Sequence, residues 1–288
     1  MTEIKYGVID IGSNSVRLML AENGKSVKKE MATTRLAQGM KDELLNPQSS
    51  LRTLKAVLYF ADKARAEGAD KIVIFATAAV RSAKNGGAFC EEIEKSCGVR
   101  VDVLSGETEA KIGVLGALCG KDGAVIDVGG ASSEIAVIKG GKFVYSKSLP
   151  VGAVTLTERF GQDCGKIRAF LNEVLKSYGD IPAATFYAVG GTATTLAAVS
   201  MKLSVYDAEK VDGYVMHTEE LSRLTGEICA LTVEERKNLA GLQKERADII
   251  HSGALILKGI ANFAGIDSVT VRESDNLEGY LKYFSEKV

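Results

Sequence analysis

At 288 residues, with 46% hydrophobic and 25% charged side chains, the chain has the balance of a folded globular protein and exceeds what one small core needs. Its net charge of -1 supplies no global field for DNA, RNA or an anionic membrane, so a polyanionic ligand requires a local basic pocket. The five cysteines form no CxxC pair, no apolar run approaches a membrane span, and the first residues carry no signal-peptide pattern. A reduced, cytoplasmic protein is expected, without nucleic-acid or membrane partners.

Residues 4–11, 15–22 and 25–32 read as short strands separated by Gly, Asn and Ser turns. Apolar residues at 51, 54, 57, 58, 61 and 64 predict an amphipathic helix over 49–68, stopped by Gly68. The apolar run 71–77 predicts a strand buried on both faces. A helix near 87–96, a strand at 99–104 and a helix at 106–118 complete an α/β half. After "CGKDGA" the pattern restarts, with strands 124–128, 133–139 and 142–148. A helix near 165–178, a strand 184–189 and a helix 191–200 follow. The remainder reads as helices 218–230, 232–240 (with the capping box Thr232-x-x-Glu235) and 243–264, then strand "SVTVRE" and a short last helix. Two domains are expected, 1–120 and 121–288, with the last helix free to pack on the first.

The restart is a repeat. "YGVIDIGSNSVRLML" (6–20) resembles "AVIDVGGASSEIAVI" (124–138), and a displacement by 117 positions places Asp10 on Asp127, Gly12 on Gly129, Ser15 on Ser132 and Arg17 on Glu134. Each copy ends a buried strand with a carboxylate and turns through Gly, Ser and Asn into the next strand. Small residues let backbone N–H groups approach an anion, and the hydroxyls add donors. A carboxylate repels phosphate directly, so it makes sense holding Mg2+ or a water. A third turn, Gly190-Gly191-Thr192, runs from strand into helix and offers helix N-terminal N–H groups to an anion. The three loops together resemble the phosphate clamp of the actin-like ATPase superfamily.

The resemblance narrows at "DIGSNSVRL" (10–18), "TAAVRSAKN" (77–85), "SGETEAKIG" (105–113) and "VIDVGGASSEI" (125–135), which are similar to signature segments of the Ppx/GppA phosphatases. "SLPVGAVTLTERF" (148–160), the GGT loop and "GLQKERADIIHSGALIL" (241–257) are similar too. The resemblance implies two actin-like (ribonuclease H-like) domains facing across a central cleft. It also implies a hydrolase acting on inorganic polyphosphate or guanosine pentaphosphate, in the family's short two-domain form. It places the catalytic glutamate at Glu109 and further acids at Asp127 and Glu134. A phosphate-binding arginine falls at Arg81, with Arg17 following the first loop. Ala131 stands where the family has a third glycine, and "ESDNLEGYL" (273–281) departs from the family's C-terminal segment except at Glu-Gly.

Phosphoanhydride hydrolysis needs an in-line water, neutralised oxygens and an activated leaving group. Glu109 would accept the water proton. Asp127 and Glu134 would hold Mg2+ or orient that water, with Asp10 a further ligand through water. Arg17 and Arg81 would neutralise phosphate oxygens. Main-chain N–H groups at Gly12, Ser13, Asn14 and Ser15, at Gly129, Gly130, Ala131 and Ser132, and at Gly190, Gly191 and Thr192 would cradle the phosphates. His217 and His251 fit no nucleophile or metal spacing; His251 is expected to be structural. Two alternatives stay open, an ATP-dependent kinase of the same superfamily acting on a small acid or sugar, and a non-catalytic actin-like nucleotide-binding protein. Polyphosphate against pppGpp, and monomer against homodimer, also stay open.

Overall fold

In the computed structural model, which describes residues 4–118 and 120–285, the chain forms two compact units. One comprises Met1–Gly116 with Asn276–Val288, the other Ala117–Asp275. Cys119 lies outside the described residues.

The first unit is built on a five-stranded sheet. Strands β1 (Lys5–Ile11), β2 (Ser15–Glu22), β3 (Lys25–Thr33), β4 (Lys71–Ala76) and β5 (Val101–Val103) take the order β3-β2-β1-β4-β5. β1, β2 and β3 form an antiparallel meander, while β4 and β5 join in parallel. Helix α1 (Pro47–Ala66) starts where the Asn46 side chain accepts the Gln48 N–H and proline fills the first turn. Its buried stripe Leu54, Val57, Phe60, Ala61 and Ala64 covers the sheet. Helix and strand approach closely at Gly7, where a Cβ would lie 2.7 Å from that of Ala64. The short helix α2 (Ala78–Ser82) follows β4, α3 (Gly86–Cys97) leads to β5, and α4 (Gly106–Leu118) follows it.

The second unit repeats the plan. Strands β6 (Gly123–Val128), β7 (Ser133–Lys139), β8 (Lys142–Leu149), β9 (Phe186–Val189), β10 (Val215–His217) and β11 (Ser268–Val271) take the order β8-β7-β6-β9-β11-β10. The repeat is kept to the register. Asp10 pairs with Arg17 and Arg17 with Met31; Asp127 pairs with Glu134 and Glu134 with Ser148, each step displaced by the same 117 positions. The helices are α5 (Ala153–Phe160), α6 (Cys164–Val174), α7 (Gly190–Ser200), α8 (Ala208–Val211), α9 (Thr218–Ala230), α10 (Val233–Arg236) and α11 (Ile250–Phe263). α11 is buried around nearly its whole circumference, which explains its near-continuous apolar sequence. His251, within it, is fully buried and bonds the Gly161 carbonyl at 3.1 Å. Burial holds its pKa down to about 4, helped by the Arg236 charge, so it stays neutral as a structural group.

The expected elements are found, with four departures. α2, α5, α8 and β10 are additional; Pro150 and Gly152 around the start of α5, and the brevity of the other three, conceal them from periodicity. The expected helix 232–240 stops after one turn at Arg236, whose guanidinium turns inward to the Ile228 carbonyl at 2.7 Å and to Gln162. The capping box at its start is present. The expected helix 243–264 begins only at Ile250. Gly241 adopts φ +87 and packs so tightly that a Cβ would meet the Ala198 carbonyl at 2.2 Å. The 165–178 helix finishes as a 3-10 turn at Leu175–Tyr178.

The last helix, α12 (Asn276–Ser285), belongs to the first unit. A Cβ at Gly279 would stand 1.7 Å from the Ile112 carbonyl, so the glycine of the divergent tail is a packing requirement. Tyr280 stacks on Phe75 with centroids 4.4 Å apart and donates to Asp102 at 3.1 Å. Among the described residues no helix is long and apolar enough to cross a membrane.

Candidate active site

The candidate residues form two sets, one in each unit, and each unit has its own sheet. In the first unit β1 carries Asp10, 3% exposed, to the end of the sheet. The following turn closes with a hydrogen bond from the Gly12 N–H to the Ser15 carbonyl at 3.0 Å, and β2 then brings Arg17 directly opposite Asp10. Directly opposed residues share a face, and the Arg17 Nε donates to Asp10 Oδ2 at 3.0 Å. The two residues expected to serve metal and phosphate therefore form an ion pair with one another. The segment after β3 takes up the turn's carbonyls. Thr34 and Arg35 N–H groups donate to Asn14 at 3.0 and 2.8 Å, and Ala37 N–H to Ser13 at 2.9 Å.

β4 ends beside Ile11, and Thr77 begins the turn into α2. One helical turn on, Arg81 donates from Nη1 to Glu109 Oε2 at 2.7 Å and to the Leu104 carbonyl at 2.8 Å. Glu109 lies in the first turn of α4, 6% exposed. Burial pushes its pKa up, the Arg81 charge and hydrogen bond pull it down, the Asp10 charge adds to the rise, and Thr77 contributes a further hydrogen bond. The balance is a carboxyl whose pKa lies above the ordinary range, with burial the largest cause. Glu107 is different. Two residues earlier, and so roughly 200° around the helix, its side chain is 68% exposed and paired with Lys111 at 2.7 Å.

The second unit shows the same turn with other side chains. Gly129 N–H donates to the Ser132 carbonyl at 3.0 Å, and Asp127 stands opposite Glu134. Glu134 is 3% exposed, and Ser148 donates to its Oε1 at 2.6 Å. Gly130 and Ala131 lie in this turn. Ala131 does not adopt a left-handed φ, so the missing glycine removes no freedom that the turn uses. The first N–H groups of α5 hold the turn from behind, Ala153 to Gly129 at 2.9 Å and Val154 to Gly130 at 2.8 Å. Gly152 allows that approach, since its Cβ would fall 2.3 Å from Gly130.

The third loop closes on the same strand end. Gly190 adopts φ +79, and a Cβ there would lie 2.6 Å from Asp127 Oδ1. Only glycine brings the N-terminus of α7 so near the carboxylate. The Thr192 hydroxyl donates to the Val128 carbonyl at 2.9 Å, which ties the loop down and leaves its main chain for an anion. Arg246 lies against Gly191, where a Cβ would stand 2.2 Å from its Nη2. It is a cation beside the glycine loop that sequence reading passes over, because it sits in a stretch expected to be helical. Thr77 and Ser148 are missed likewise, being ordinary hydroxyls until the register places them. Among the described residues no group of three or more His, Cys, Asp or Glu side chains could hold a metal. The opposed carboxylates of Asp127 and Glu134 offer two hard oxygen donors, a partial set that suits Mg2+ keeping several waters.

The family model for the Ppx/GppA phosphatase family matches residues 19–282. The chain is 30% identical to "Exopolyphosphatase 2" of Mycobacterium tuberculosis over 97% of its length and 98% of that protein's. It is 29% identical to the "Guanosine-5'-triphosphate,3'-diphosphate pyrophosphatase" of Pseudoalteromonas translucida, covering 96% of this chain and 58% of that one. Against a "Bifunctional 3-dehydroquinate synthase/phosphatase" of Fusobacterium nucleatum it is 29% identical over 94% of its length and 45% of the relative's, so it spans about half of these two longer proteins. The solved structure of the Aquifex aeolicus member of the Ppx/GppA family superposes with a TM-score of 0.82 at 28% identity, over 99% of both chains. The fold is the actin-like α/β plan of that family, and this chain belongs to the Ppx/GppA phosphatase family.

Proposed function

We propose that the protein hydrolyses phosphoanhydride bonds, releasing terminal phosphate from inorganic polyphosphate, converting pppGpp to ppGpp, or both. The observation that carries this reading is Glu109, a buried carboxyl with a raised pKa, held by Arg81 and close to Asp10. Such a group takes the proton of an attacking water and returns it to solvent after the bond breaks. The names of the mycobacterial and marine relatives support the two substrates.

In this reading the first unit supplies the base and cations for phosphate oxygens, with Arg81 also orienting Glu109. The second unit supplies the Gly190–Thr192 loop and Arg246 for phosphate charge, and the paired carboxylates for water or metal. Asp127 and Glu134 would hold Mg2+, which when bound neutralises phosphate oxygens. Asp10, engaged by Arg17, serves the first turn instead. A cytoplasmic location agrees with substrates of this kind.

Phosphate release should be measured with pppGpp and with polyphosphates of graded length, alongside ADP formation from ATP in the presence of small acids and sugars. Release from either anhydride without ADP is the expected result. ADP formation dependent on an acceptor would establish a kinase instead, and no turnover of any of them would leave a binding protein.

A further inference from the structure

Glu134, 3% exposed, is held in part by a side chain that strand register places beside it. Asp10 and Glu109 each meet an arginine, and Glu134 accepts a hydrogen bond from a hydroxyl. The donor is fixed by strand register. Ser148 on β8 stands directly opposite Glu134 on β7, so the two side chains leave the sheet on one face, and the Ser148 Oγ reaches Oε1 at 2.6 Å. The neighbouring backbone is fastened separately. The Tyr178 hydroxyl donates to the Ser133 carbonyl at 2.8 Å and meets its Oγ at 2.8 Å, and Tyr145 in turn donates to the Tyr178 carbonyl at 2.7 Å. At the repeat-related place in the first unit stand Arg17 and, opposite it, Met31, which has no hydroxyl to give.

We infer that Ser148 is a positioning residue that holds the Glu134 carboxylate in its working rotamer for the hydrolytic reaction. This rests on the proposed hydrolysis only for its kinetic readout. A hydroxyl suits the task because it fixes one carboxylate oxygen without adding charge. An arginine here would neutralise the group, as it does at Asp10. The turn is therefore equipped for orientation in the second unit and for charge pairing in the first.

The test compares Ser148→Thr with Ser148→Val, two β-branched side chains of nearly equal size of which only the first retains the hydroxyl. A hydrogen bond to a charged group supports a kcat loss on the order of tenfold or more in Ser148→Val, with KM within twofold of wild type. Ser148→Thr should recover most of that loss, and both should unfold at the wild-type temperature within a few degrees. Crystal structures of both variants give a readout independent of turnover. The Glu134 carboxylate should keep its place in Ser148→Thr and move or split in Ser148→Val. Equal kcat in the two variants, or an unmoved carboxylate in Ser148→Val, would overturn the assignment. A wild-type protein inactive on every anhydride would instead overturn the proposed function, while the crystallographic comparison still decides the role of Ser148.

Discussion

The two units place their turn residues in the same strand register and give them different electrostatics. Both turns close through a hydrogen bond of 3.0 Å, from Gly12 to Ser15 and from Gly129 to Ser132, and both follow a strand whose penultimate residue is aspartate. In the first unit the facing residue is Arg17, and the pair is neutral overall. In the second it is Glu134, and two carboxylates face each other across the strands. The supports differ too. Residues 34–37 brace the first turn through an irregular loop with Arg35 at φ +52, whereas the N-terminus of α5 braces the second. A repeated fold thus fixes where side chains emerge, and a single difference at one of those places gives the first turn an ion pair and the second two facing carboxylates.

The largest way to break this comparison is at Glu109. Replacement by glutamine keeps shape and hydrogen-bonding reach but cannot accept a proton, and kcat should fall on the order of 10²–10⁴-fold. KM should hold or improve. Glu107→Gln should match wild type, because that side chain is exposed and paired with Lys111. An inactive Glu107→Gln beside an active Glu109→Gln would invert the assignment. The acid limb of kcat/KM should also lie above the ordinary carboxylate range, since Glu109 must be ionised to act and its pKa is raised. A limb at the usual carboxylate value would remove Glu109 as the base.

The next effect sharpens the division between the turns. Glu134→Gln should lower kcat by about 10²-fold with KM little changed. Arg17→Ala should instead raise KM about tenfold or more, and it leaves the buried Asp10 without this partner, so the unfolding temperature should drop as well. If both variants changed kcat and KM alike, the two turns would not divide the work as their charges suggest.

A smaller effect separates the units by pH. His251, with a pKa of about 4 against 6.5 when exposed, is neutral in the folded state and charges more readily when unfolded. The stability this lends at neutral pH is lost as pH falls from the unfolded value through the folded one, a difference on the order of 3 kcal/mol. His251→Gln should flatten that part of the unfolding profile. An unchanged pH dependence would assign acid sensitivity elsewhere. Smallest is Tyr280→Phe, which keeps the stack on Phe75 and loses only the bond to the exposed Asp102. It should cost about 0.5–1 kcal/mol, read by thermal unfolding.

Much of this was legible in the chain because it is local. Periodicity gave the strands and long helices, and the gap-free repeat brought Asp127 onto Asp10 and Glu134 onto Arg17. Glycine-rich turns marked the three loops, and Glu109 was placed by the segment around it. What tertiary structure alone decided depends on partners distant in sequence. Arg81 meets Glu109 across 28 positions, Ser148 meets Glu134 only through strand register, and Arg246 reaches Gly191 from an irregular stretch. The tail's role likewise needed the fold. Gly279 serves the Ile112 carbonyl, a contact that a glycine in an otherwise divergent segment cannot announce. Sequence pattern records how each residue relates to its own helix or strand, while hydrogen bonds and close approaches between elements follow from packing. For that reason the identity of the carboxylates could be read in advance and the groups that orient them could not.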